Sequence, residues 1–501
     1  MTIAVVGAGL AGCECAWILA EKYSQKVTLF EMKSKNPTPA QDAPHLFAEL
    51  VCSNSLKSTS YLNPAGLLKI EMSALESLLI ATAQKHAVPA GETLAVDRTL
   101  FSQEVTQRIR NHPNIEVVET EITSASALAA DAKWSAVVVA TGPLTSQAMT
   151  EDLRNLMHLS NAFFYDAIAP VLDGETIDMN IAFWQNRETR TAAYEKRLKK
   201  EERDGMSSAD SANSADSAEP SGEEHGNYLN IPLNKDEYFE FVEKILAGDK
   251  VPFHEFESPT FFSGCQPIEV LAESGPRTLS FGPMKPRGLT DPRTGRMPYA
   301  CIQLRRESLG GNAFNMVGFQ TRLTWPAQRE VFRSISALKN AEFFRMGSMH
   351  RNTYFCAPAV LSQDFSLKSN AKIFLAGQLM GVEGYIESAA IGLFAGHILG
   401  RRAKEVAQSS SETISQSPSE TSLPPPETAL GALLRYIFFA EPKHFAPMNI
   451  HWGLFDPLSD EDLAQLPENQ KKRKIDKSLK RDLLSRRAQK SFADWKLTQK
   501  F

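Results

Sequence analysis

The chain opens with an apolar stretch that gives way to glycines and then to a helical period. Residues 2–6 are apolar or β-branched without polar alternation, which is typical of a buried central strand in a parallel sheet. A helical pattern follows from Ala11 to about Tyr23, and residues 27–30 form a second strand-like run. This order of strand, helix and strand predicts a βαβ unit at the start of the fold.

Apolar segments with regular spacing recur along the rest of the chain. Residues 66–85 place apolar side chains at helical spacing, which predicts one helix. Strands are predicted for residues 115–120, for the end of the segment 134–142 and for residues 373–378. The last strand runs into a glycine-rich turn and a helix rich in Ala and Gly at residues 386–399. The chain is therefore predicted to have an α/β fold.

Between about residues 160 and 327 the pattern changes. Strands are short there, Pro and Gly are frequent and aromatic residues cluster, which predicts a second domain inserted into the first. A polar low-complexity tract within it has few groups to bury, so we expect a disordered surface insertion. The predicted organisation is a first domain in two parts at residues 1–160 and 331–406, an inserted domain at 161–330 with the disordered insertion at 201–226, a linker at 407–428 and a helical segment at 429–501.

Composition and charge exclude some classes of protein. A chain of 501 residues with 43% hydrophobic residues is ordinary for a soluble globular protein of several domains. The net charge of −5 gives no overall nucleic-acid signature, so RNA contacts must come from local patches. A solvated helix face explains the basic run at residues 471–487 more simply than an RNA-binding patch. No signal peptide or membrane span is apparent, so we expect a cytoplasmic protein without membrane contact.

Glycines after the first strand carry the first chemical signal. Gly7, Gly9 and Gly12 form a Gly-x-Gly-x-x-Gly fingerprint between a strand and a helix. The first glycine permits a tight turn, the second lets the backbone approach a pyrophosphate, and the third permits close helix packing. Glu31 ends the second strand nineteen positions after Gly12, where a carboxylate accepts ribose hydroxyls. These residues predict a site for an adenine dinucleotide.

A second glycine-rich turn makes a flavin more probable than a dissociable nicotinamide. Residues 140–142 end a buried strand in Ala-Thr-Gly, as in flavoproteins with two dinucleotide-binding domains. Residues 381–385 form the turn before the Ala-rich helix, which suits a flavin ring or its phosphates. A pyridine nucleotide would have to approach without its own Rossmann domain, because no second full fingerprint occurs.

Six cysteines are scattered along the chain without a Cys-x-x-Cys pair, which argues against a disulfide framework and a zinc site, and no metal is predicted. Two thiols stand out by their context. Cys52 lies in a polar run in which Lys57 can neutralise an anion, and Cys265 lies in a turn fixed by Gly264 and Pro267. The others are expected to be small buried hydrophobes: Cys13, Cys15, Cys301 and Cys356.

Basic residues cluster after Cys265, with Asp291 as the single acid before Glu307. They are Arg277, Lys285, Arg287, Arg293, Arg296, Arg305 and Arg306. Cations near a thiol lower its pKa from about 8.5 and enlarge the thiolate fraction, and they also hold phosphates. A thiol in a basic surface with aromatic side chains suits a nucleophile that acts on an RNA base.

Several longer motifs together resemble one enzyme family. They are residues 7–12, 49–56, 140–146, 263–269, 281–286, 349–354, 381–388 and 447–449. In these motifs the chain is similar to the folate- and FAD-dependent tRNA (uracil-5-)-methyltransferases, the TrmFO family, over nearly its whole length. Two segments depart from the family pattern, the polar insertion at 201–226 and the Ser/Pro-rich linker at 407–426, and both lie between motifs.

The resemblance implies a glutathione-reductase-like FAD-binding domain with an inserted α+β domain and a helical carboxyl-terminal segment. It implies methylation of C5 of the T-loop uridine in tRNA, with carbon from 5,10-methylenetetrahydrofolate and reducing equivalents from FAD reduced by NADH or NADPH. The implied catalytic residues are Cys265, which adds to uracil C6, and Cys52 near the flavin, and the two roles are exchangeable. The expected cofactor-binding residues are Gly7, Ala8, Gly9, Leu10, Ala11, Gly12, Glu31, Ser53, Asn54, Thr141, Gly142, Gly377, Gly381, Val382, Glu383, Gly384 and Tyr385.

Two other interpretations stay open. Another flavin-dependent tRNA modification enzyme, such as one that builds a carboxymethylaminomethyl group on a wobble uridine, would share the flavin fold. We expect such an enzyme to lack the paired segments around Cys52 and Cys265. The second alternative is a flavin-bound RNA-binding or redox-sensing protein without turnover.

Overall fold

The computed structural model describes most of the 501-residue chain. The described residues are 2–38, 41, 43–158, 162–187, 189–205, 226–252, 266–308, 312–408, 423–464 and 476–499. Several predicted features lie outside them: Cys265, residues 206–225 of the expected insertion, residues 409–422 of the linker and the start of the basic run.

The first part of the chain alternates strands and helices. Its strands are β1 (Thr2–Val6), β2 (Lys26–Glu31), β3 (Ser55–Ser58), β4 (Ala87–Val88), β5 (Thr93–Val96), β6 (Ile115–Glu119) and β7 (Ala136–Val139). Its helices are α1 (Leu10–Glu21), α2 (Pro64–Ala74), α3 (Leu78–Lys85), α4 (Arg98–Arg110), α5 (Ala125–Ala130) and α6 (Gln147–Met157). The predicted βαβ unit is therefore present, and Glu31 ends its second strand.

The middle part builds a second layer of strands. Its strands are β8 (Ala162–Ile168), β9 (Val171–Asp173), β10 (Phe183–Trp184), β11 (Tyr228–Leu233), β12 (Ala300–Arg306), β13 (Ala313–Met316), β14 (Phe343–Arg345) and β15 (Ser348–Tyr354). Its helices are α7 (Arg190–Gly205), α8 (Lys235–Ala247), α9 (Ile268–Glu273), α10 (Thr278–Phe281) and α11 (Trp325–Arg333). Helix α7 includes residues 201–205, the start of the expected disordered insertion, because Glu201, Glu202 and Arg203 continue the preceding helical run of Glu, Lys and Arg, which favour helix.

The last part returns to the first domain and ends in helices. Its elements are α12 (Ala357–Val360), β16 (Ser366–Leu367), β17 (Asn370–Leu375), α13 (Tyr385–Gln408), α14 (Ala429–Phe439), α15 (Asp460–Ala464) and α16 (Lys477–Gln499). Helix α13 is longer than the predicted helix at residues 386–399. No helix in the described ranges is both long enough and apolar enough to cross a lipid bilayer.

Two sheets carry the fold. The first has the strand order β16-β17-β7-β1-β2-β6 and is parallel except for the edge strand β16, with Val5 opposite both Leu29 and Val138. The second has the order β10-β11-β12-β13-β9-β14 and is antiparallel. Its strand β14 lies beyond residue 330, the predicted end of the inserted domain. The antiparallel pair β8 and β15 carries the chain between the two sheets.

Helix α13 packs closely on α1, and this contact holds the two helices together over the first sheet. A side chain at Gly392 of α13 would collide with the backbone of Ala11, and one at Gly396 would collide with Ile18. Both α1 and α13 are largely buried, so the two helices form the centre of the larger hydrophobic core. The glycines of α13 therefore set how deeply α1 sits, and with it the turn that precedes α1.

The predicted single helix at residues 66–85 is wrong, because the chain forms α2 and α3 with a break between them. Glu76 has a φ of +66°, and Ser77 caps α3 with a hydrogen bond from Ile80 N–H. The buried carboxylate of Glu14 in α1 accepts hydrogen bonds from the N–H groups of Leu78 and Leu79, each at 3.1 Å. A group far away in sequence thus makes a new helix start at this point.

A second buried carboxylate caps a helix in the same way. Glu71 in α2 accepts hydrogen bonds from Ala429 N–H at 2.8 Å and Leu430 N–H at 2.7 Å, at the start of α14. Burial raises the pKa of Glu71 to about 8, although these two hydrogen bonds oppose the shift. The folded protein therefore binds a proton at Glu71 at pH values where the unfolded chain has released it.

This linkage predicts how the Glu71→Gln variant should behave. Between pH 4.5, the ordinary pKa of a Glu side chain, and about pH 8, wild type should lose stability relative to the variant as pH rises. The measurement is the midpoint of thermal unfolding of both proteins across this range. Glu243→Gln, at an exposed position, is the control. If the difference in thermal midpoint between wild type and Glu71→Gln did not change with pH, the raised pKa of Glu71 would be contradicted.

Candidate functional site

The turn between β1 and α1 is built for close approach of a ligand. Gly7 has a φ of +100°, and a Cβ there would lie 2.7 Å from the Ala140 carbonyl oxygen at the end of β7. A side chain at Gly12 would collide with the Gly7 carbonyl. Gly9 differs from both, because a Cβ there would meet no atom within 4 Å. Gly7 and Gly12 are thus needed for the fold, and Gly9 leaves open space beside the turn.

The amino terminus of α1 is open to an anion. Gly9 is the N-cap residue and provides no side-chain cap, and the first turn of α1 has no acidic residue. The first N–H groups of a helix lack partners within the helix, and the helix dipole places partial positive charge there. A diphosphate would satisfy these groups, so the turn fits the pyrophosphate of FAD.

Glu31 stands beside this turn at the end of β2. Its carboxylate accepts hydrogen bonds from Ala8 N–H at 2.6 Å and from Lys33 N–H at 2.8 Å, which fix the carboxylate against the glycine turn. A carboxylate retains further lone pairs after two such bonds, so it can still accept a ribose hydroxyl. The binding of a ribose by Glu31 stays a prediction.

A first cavity of about 80 Å³ lies at this edge of the parallel sheet. It is lined by Val6, Gly7, Gly9, Phe30, Glu31, Met32, Thr38, Gln41, Thr120, Glu121, Ile122, Thr141, Leu144, Ser146 and Met149. These residues follow the carboxyl ends of β1, β2, β6 and β7, where open α/β sheets bind their ligands. Four of the expected cofactor-binding residues line the cavity: Gly7, Gly9, Glu31 and Thr141.

A second cavity of about 190 Å³ adjoins the first, and Leu144 lines both. Its walls come from the segment that leads into β3, from β8 and β15, from the residues that follow β7 and from the turn before α13. The lining residues are Val51, Cys52, Ser53, Ser55, Lys57, Pro143, Leu144, Ile168, Asn352, Gln378, Glu383, Gly384 and Tyr385. Cys52, Ser53, Glu383, Gly384 and Tyr385, which the sequence places far apart, therefore meet around one space. Its position beside the first cavity fits a flavin ring extending from a dinucleotide on the glycine turn.

The backbone around Cys52 is held by the hydroxyl of Tyr385. This oxygen accepts hydrogen bonds from Cys52 N–H at 2.5 Å and from Ser53 N–H at 3.3 Å. Burial raises the pKa of Tyr385, so the hydroxyl stays protonated and neutral at physiological pH. The Cys52 Sγ lies 3.9 Å from the Ala167 carbonyl oxygen, on the strand that connects the two sheets. The thiol is thus presented at the wall of the second cavity on a fixed peptide.

Lys57 brings a positive charge to the same wall. Its Nζ lies 2.6 Å from Glu387 Oε1, and about a third of its side chain is exposed. Glu387 is fully buried and also accepts a hydrogen bond from Ile450 N–H at 3.1 Å. A Cβ at Gly384, which has a φ of +112°, would lie 2.6 Å from Lys57 Nζ. The absence of a side chain at Gly384 therefore leaves room for the ion pair of Lys57 and Glu387 next to the cavity.

Several expected cofactor-binding residues do not line either cavity. Asn54 is fully buried, and its side-chain amide donates to the carbonyl oxygens of Val96 and Arg306. The others lie in the turns and helices that surround the cavities: Ala8, Leu10, Ala11, Gly12, Gly142, Gly377, Gly381 and Val382. Among them, Gly377 packs on Ala11 and Gly381 on Phe445, both with positive φ.

The remaining described thiols line neither cavity. Cys13, Cys15 and Cys301 are fully buried. Burial raises the pKa of Cys15 and of Cys301 to about 12, so both stay protonated at physiological pH. Cys356 is half-buried and its Sγ lies 3.6 Å from the Pro442 carbonyl oxygen. Within the described ranges, no group of three or more His, Cys, Asp or Glu side chains is arranged to hold a metal ion.

Known proteins are similar to this chain in sequence and in fold. The profile of the family described as "Glucose inhibited division protein A" matches residues 2–208 and 204–407. The methylenetetrahydrofolate–tRNA-(uracil-5-)-methyltransferase TrmFO of Geobacter sulfurreducens is 45% identical over 91% of this chain and 93% of its own length. The TrmFO of Brevibacillus brevis is 43% identical over 97% and 96% of the two chains. GidA of Aquifex aeolicus superposes with a TM-score of 0.61 at 16% identity, covering 100% of this chain and 78% of that one.

The chain belongs to the TrmFO family. The resemblance stated from the motifs is thereby confirmed. The predicted fold class is confirmed too, since the GidA structures share the fold of an FAD-binding Rossmann-type oxidoreductase with a helical carboxyl-terminal part. In this TrmFO-family chain the glycine turn and the second cavity are built by the same motifs that carry the resemblance.

Sequence reasoning missed several cavity residues. Thr120 and Ile122 follow β6, and the rule that ligands bind at the carboxyl ends of parallel strands could have found them. Asn352 comes from β15, whose pairing with β8 brings it to the second cavity. The motif at residues 349–354 includes Asn352, but periodicity does not assign it to a cavity, because its position depends on the pairing of β15 with β8.

Gly7 and Gly9 have different surroundings, so we expect their alanine variants to have different effects. Gly9→Ala should leave the thermal midpoint of the protein without cofactor unchanged but weaken FAD binding about tenfold, or ~1.4 kcal/mol, because the methyl group enters the open space. Gly7→Ala should lower stability by about 1–3 kcal/mol as well, because it combines a positive φ with a collision. Unfolding curves and titration of the protein with FAD test both. Equal effects of the two variants on stability would contradict this geometry.

Proposed function

We propose that this chain methylates C5 of a uridine in tRNA, with 5,10-methylenetetrahydrofolate as the carbon donor and FAD as the bound cofactor. The relatives that carry this activity in their names match the chain over more than nine-tenths of both lengths. The observation that supports the proposal most directly is the second cavity, where Cys52 and Lys57 adjoin the dinucleotide-binding turn. The substrate is tRNA, so we place the enzyme in the cytoplasm.

The residues of the two cavities would hold FAD in two parts. The turn at Gly7 and Gly9 and the amino terminus of α1 would bind the pyrophosphate, and Glu31 would bind the ribose. The turn at Glu383 and Gly384 would face the ring system in the second cavity. Bound FAD, reduced by NADH or NADPH, supplies the reducing equivalents of the methylation.

Uracil needs a nucleophile before it can accept a carbon. C5 of uracil is a poor nucleophile, but a thiolate that adds to C6 forms a C–S bond and moves the electron pair into an enolate centred on C5 and O4. C5 then bonds to the methylene carbon, whose C–N bonds to tetrahydrofolate break, and C5 loses its proton as the thiolate leaves. The two reducing equivalents convert the methylene into the methyl group, and tetrahydrofolate is released. The chain must therefore supply a thiolate and a base next to the bound uracil.

Cys52 and Cys265 are the thiols proposed for this chemistry. Cys265 is the candidate for addition to C6, and Cys52 acts near the flavin as a general base or as a thiol that controls the one-carbon intermediate, and the two roles can be exchanged. Cys52 lies in the wall of the second cavity, and the motif around Cys265 leads directly into α9.

The T-arm of tRNA is the proposed docking partner of the inserted domain. Residues 276–297 of this domain expose a basic surface: Arg277, Lys285, Arg287, Arg293 and Arg296. Phe281 is 70% exposed in the same segment, and the guanidinium of Arg277 lies 5.4 Å from its ring centre. Cations with an exposed aromatic ring suit phosphates and an unstacked base in an RNA loop.

The test is methylation of a tRNA transcript with 5,10-methylenetetrahydrofolate, NADH or NADPH, and the FAD-loaded enzyme. We expect 5-methyluridine in the T-loop by mass spectrometry of the digested RNA, and none when the T-loop uridine is replaced by cytidine. Product at the wobble position would favour the other class of tRNA modification enzyme. A loaded enzyme that oxidises the reduced nucleotide without changing any uridine would contradict the proposal.

Cysteine variants test the proposed roles. Cys265→Ala and Cys52→Ala should each reduce product formation at least ~1000-fold, since loss of an activated nucleophile or base removes several kcal/mol of transition-state stabilisation. FAD should stay bound in both, and Cys356→Ala is the matched control because Cys356 lies outside both cavities. RNA carrying 5-fluorouracil should trap the attacking thiol. A covalent complex formed by Cys265→Ala would assign the attack to Cys52.

A further inference from the structure

The main chain around Cys52 is held by arginines from three elements. Arg98, at the start of α4, donates from Nη1 to the Leu50 carbonyl oxygen at 2.9 Å. Arg345, at the end of β14, donates from Nη1 to the Val51 carbonyl at 2.9 Å and from Nη2 to the Cys52 carbonyl at 3.2 Å. Three consecutive carbonyl groups therefore face guanidinium groups.

A third arginine holds the next part of the loop. The Nε of Arg305, in β12, donates to Asn54 Oδ1 at 2.9 Å, while the Asn54 amide donates to the backbone on either side. Glu307 Oε2 lies 2.5 Å from Arg98 Nε and is mostly buried. The loop that carries Cys52 is thus clamped between the first domain and the second sheet.

We call Arg98, Arg305, Arg345 and Glu307 the arginine clamp. Its positive and negative charges do not balance. Three guanidiniums surround the loop, and among the described residues the single carboxylate paired with them is Glu307. Buried atoms at both ends lack hydrogen-bond partners within the described chain, namely Arg98 Nη2, Arg345 Nε and Glu307 Oε1. Buried charge is costly unless an opposite charge lies nearby, so the clamp favours a further anion at the loop.

Cys52 is the titratable residue whose own carbonyl group Arg345 binds, which makes its sulfur the candidate for that anion. Burial lowers the pKa of both Arg305 and Arg345, and the charge of Arg98 adds to this lowering, whereas negative charge on Glu307 and an ionised Cys52 would oppose it. Two other acids at the cavity have partners of their own, since Glu387 pairs with Lys57, and Glu383 accepts a hydrogen bond from the Gln378 amide. The titratable and charged groups that face Cys52 or share its cavity are Lys57, Arg98, Arg305, Glu307, Arg345, Glu383 and Tyr385.

We propose that Arg345 is a positioning residue for Cys52, which fixes the Cys52 peptide at the cavity and, with Arg98 and Arg305, stabilises the Cys52 thiolate before any substrate binds. The use of that thiolate in methylation rests on the proposed function, but its formation does not. Ionisation needs only loss of the thiol proton to water, with the negative charge left on the sulfur of the residue whose carbonyl group Arg345 binds.

The experiment follows alkylation of Cys52 by iodoacetamide as a function of pH. The FAD-loaded enzyme is used without tRNA or folate, and the peptide containing Cys52 is quantified by mass spectrometry. Only the thiolate reacts, so the midpoint of the rate against pH reports ionisation. We expect Arg345→Met to raise this midpoint by about one pH unit, the effect of removing one nearby opposite charge. Arg345→Lys should restore the midpoint but still lower kcat for methylation, because a single ammonium cannot hold both carbonyl groups.

Two further variants decide the outcome. Arg333→Met is the matched control, since Arg333 in the same domain donates to the Ala341 carbonyl at 2.9 Å and pairs with Glu342, and neither partner belongs to the loop that carries Cys52. Glu307→Gln removes the opposing carboxylate and should move the midpoint in the opposite direction, downward, which provides a test even if Arg345→Met does not fold. Unchanged Cys52 midpoints in folded Arg345→Met or in Glu307→Gln would overturn the proposal. Shifted midpoints in these variants, combined with a wild-type enzyme that does not methylate tRNA, would leave the proposal standing and place the fault with the proposed function.

Discussion

The peptide of Cys52 is held from two sides, and the second cavity depends on that arrangement. Tyr385, at the start of α13, accepts the N–H groups of Cys52 and Ser53, and Arg345, from the second sheet, donates to the carbonyl groups. A peptide group fixed at both its donor and its acceptor has little freedom to move. The thiol therefore reaches the cavity only when the first domain and the second sheet are both in place.

The glycine turn depends on a different constraint, the close packing of backbone on backbone. Helix α13 approaches α1 at Gly392 without room for a side chain, and the Gly7 turn touches the end of β7 in the same way. These contacts put the amino terminus of α1 at the carboxyl edge of the parallel sheet. Leu144 lines both cavities, so the cavity that contains Cys52 adjoins the one at the glycine turn.

The sequence predicted the features that depend on local spacing. The strand at residues 2–6, the glycine turn and the position of Glu31 follow from periodicity and turn chemistry, and the structure has them. The break between α2 and α3 could not be predicted locally, because the carboxylate of Glu14 from α1 determines it. The side chain of Asn54 could bind a cofactor, yet its amide oxygen accepts a hydrogen bond from Arg305 and so holds the loop. The arginine clamp likewise joins residues that are hundreds of positions apart.

The most direct test of the central claim is a crystal structure with FAD bound. We expect the pyrophosphate on the N–H groups at the start of α1 and the isoalloxazine ring in the second cavity, within van der Waals contact, about 4 Å, of the side chains of Cys52 or Lys57. A ring that lies outside this cavity, with Cys52 separated from it by other side chains, would contradict the claim that the glycine turn and the thiol serve one site.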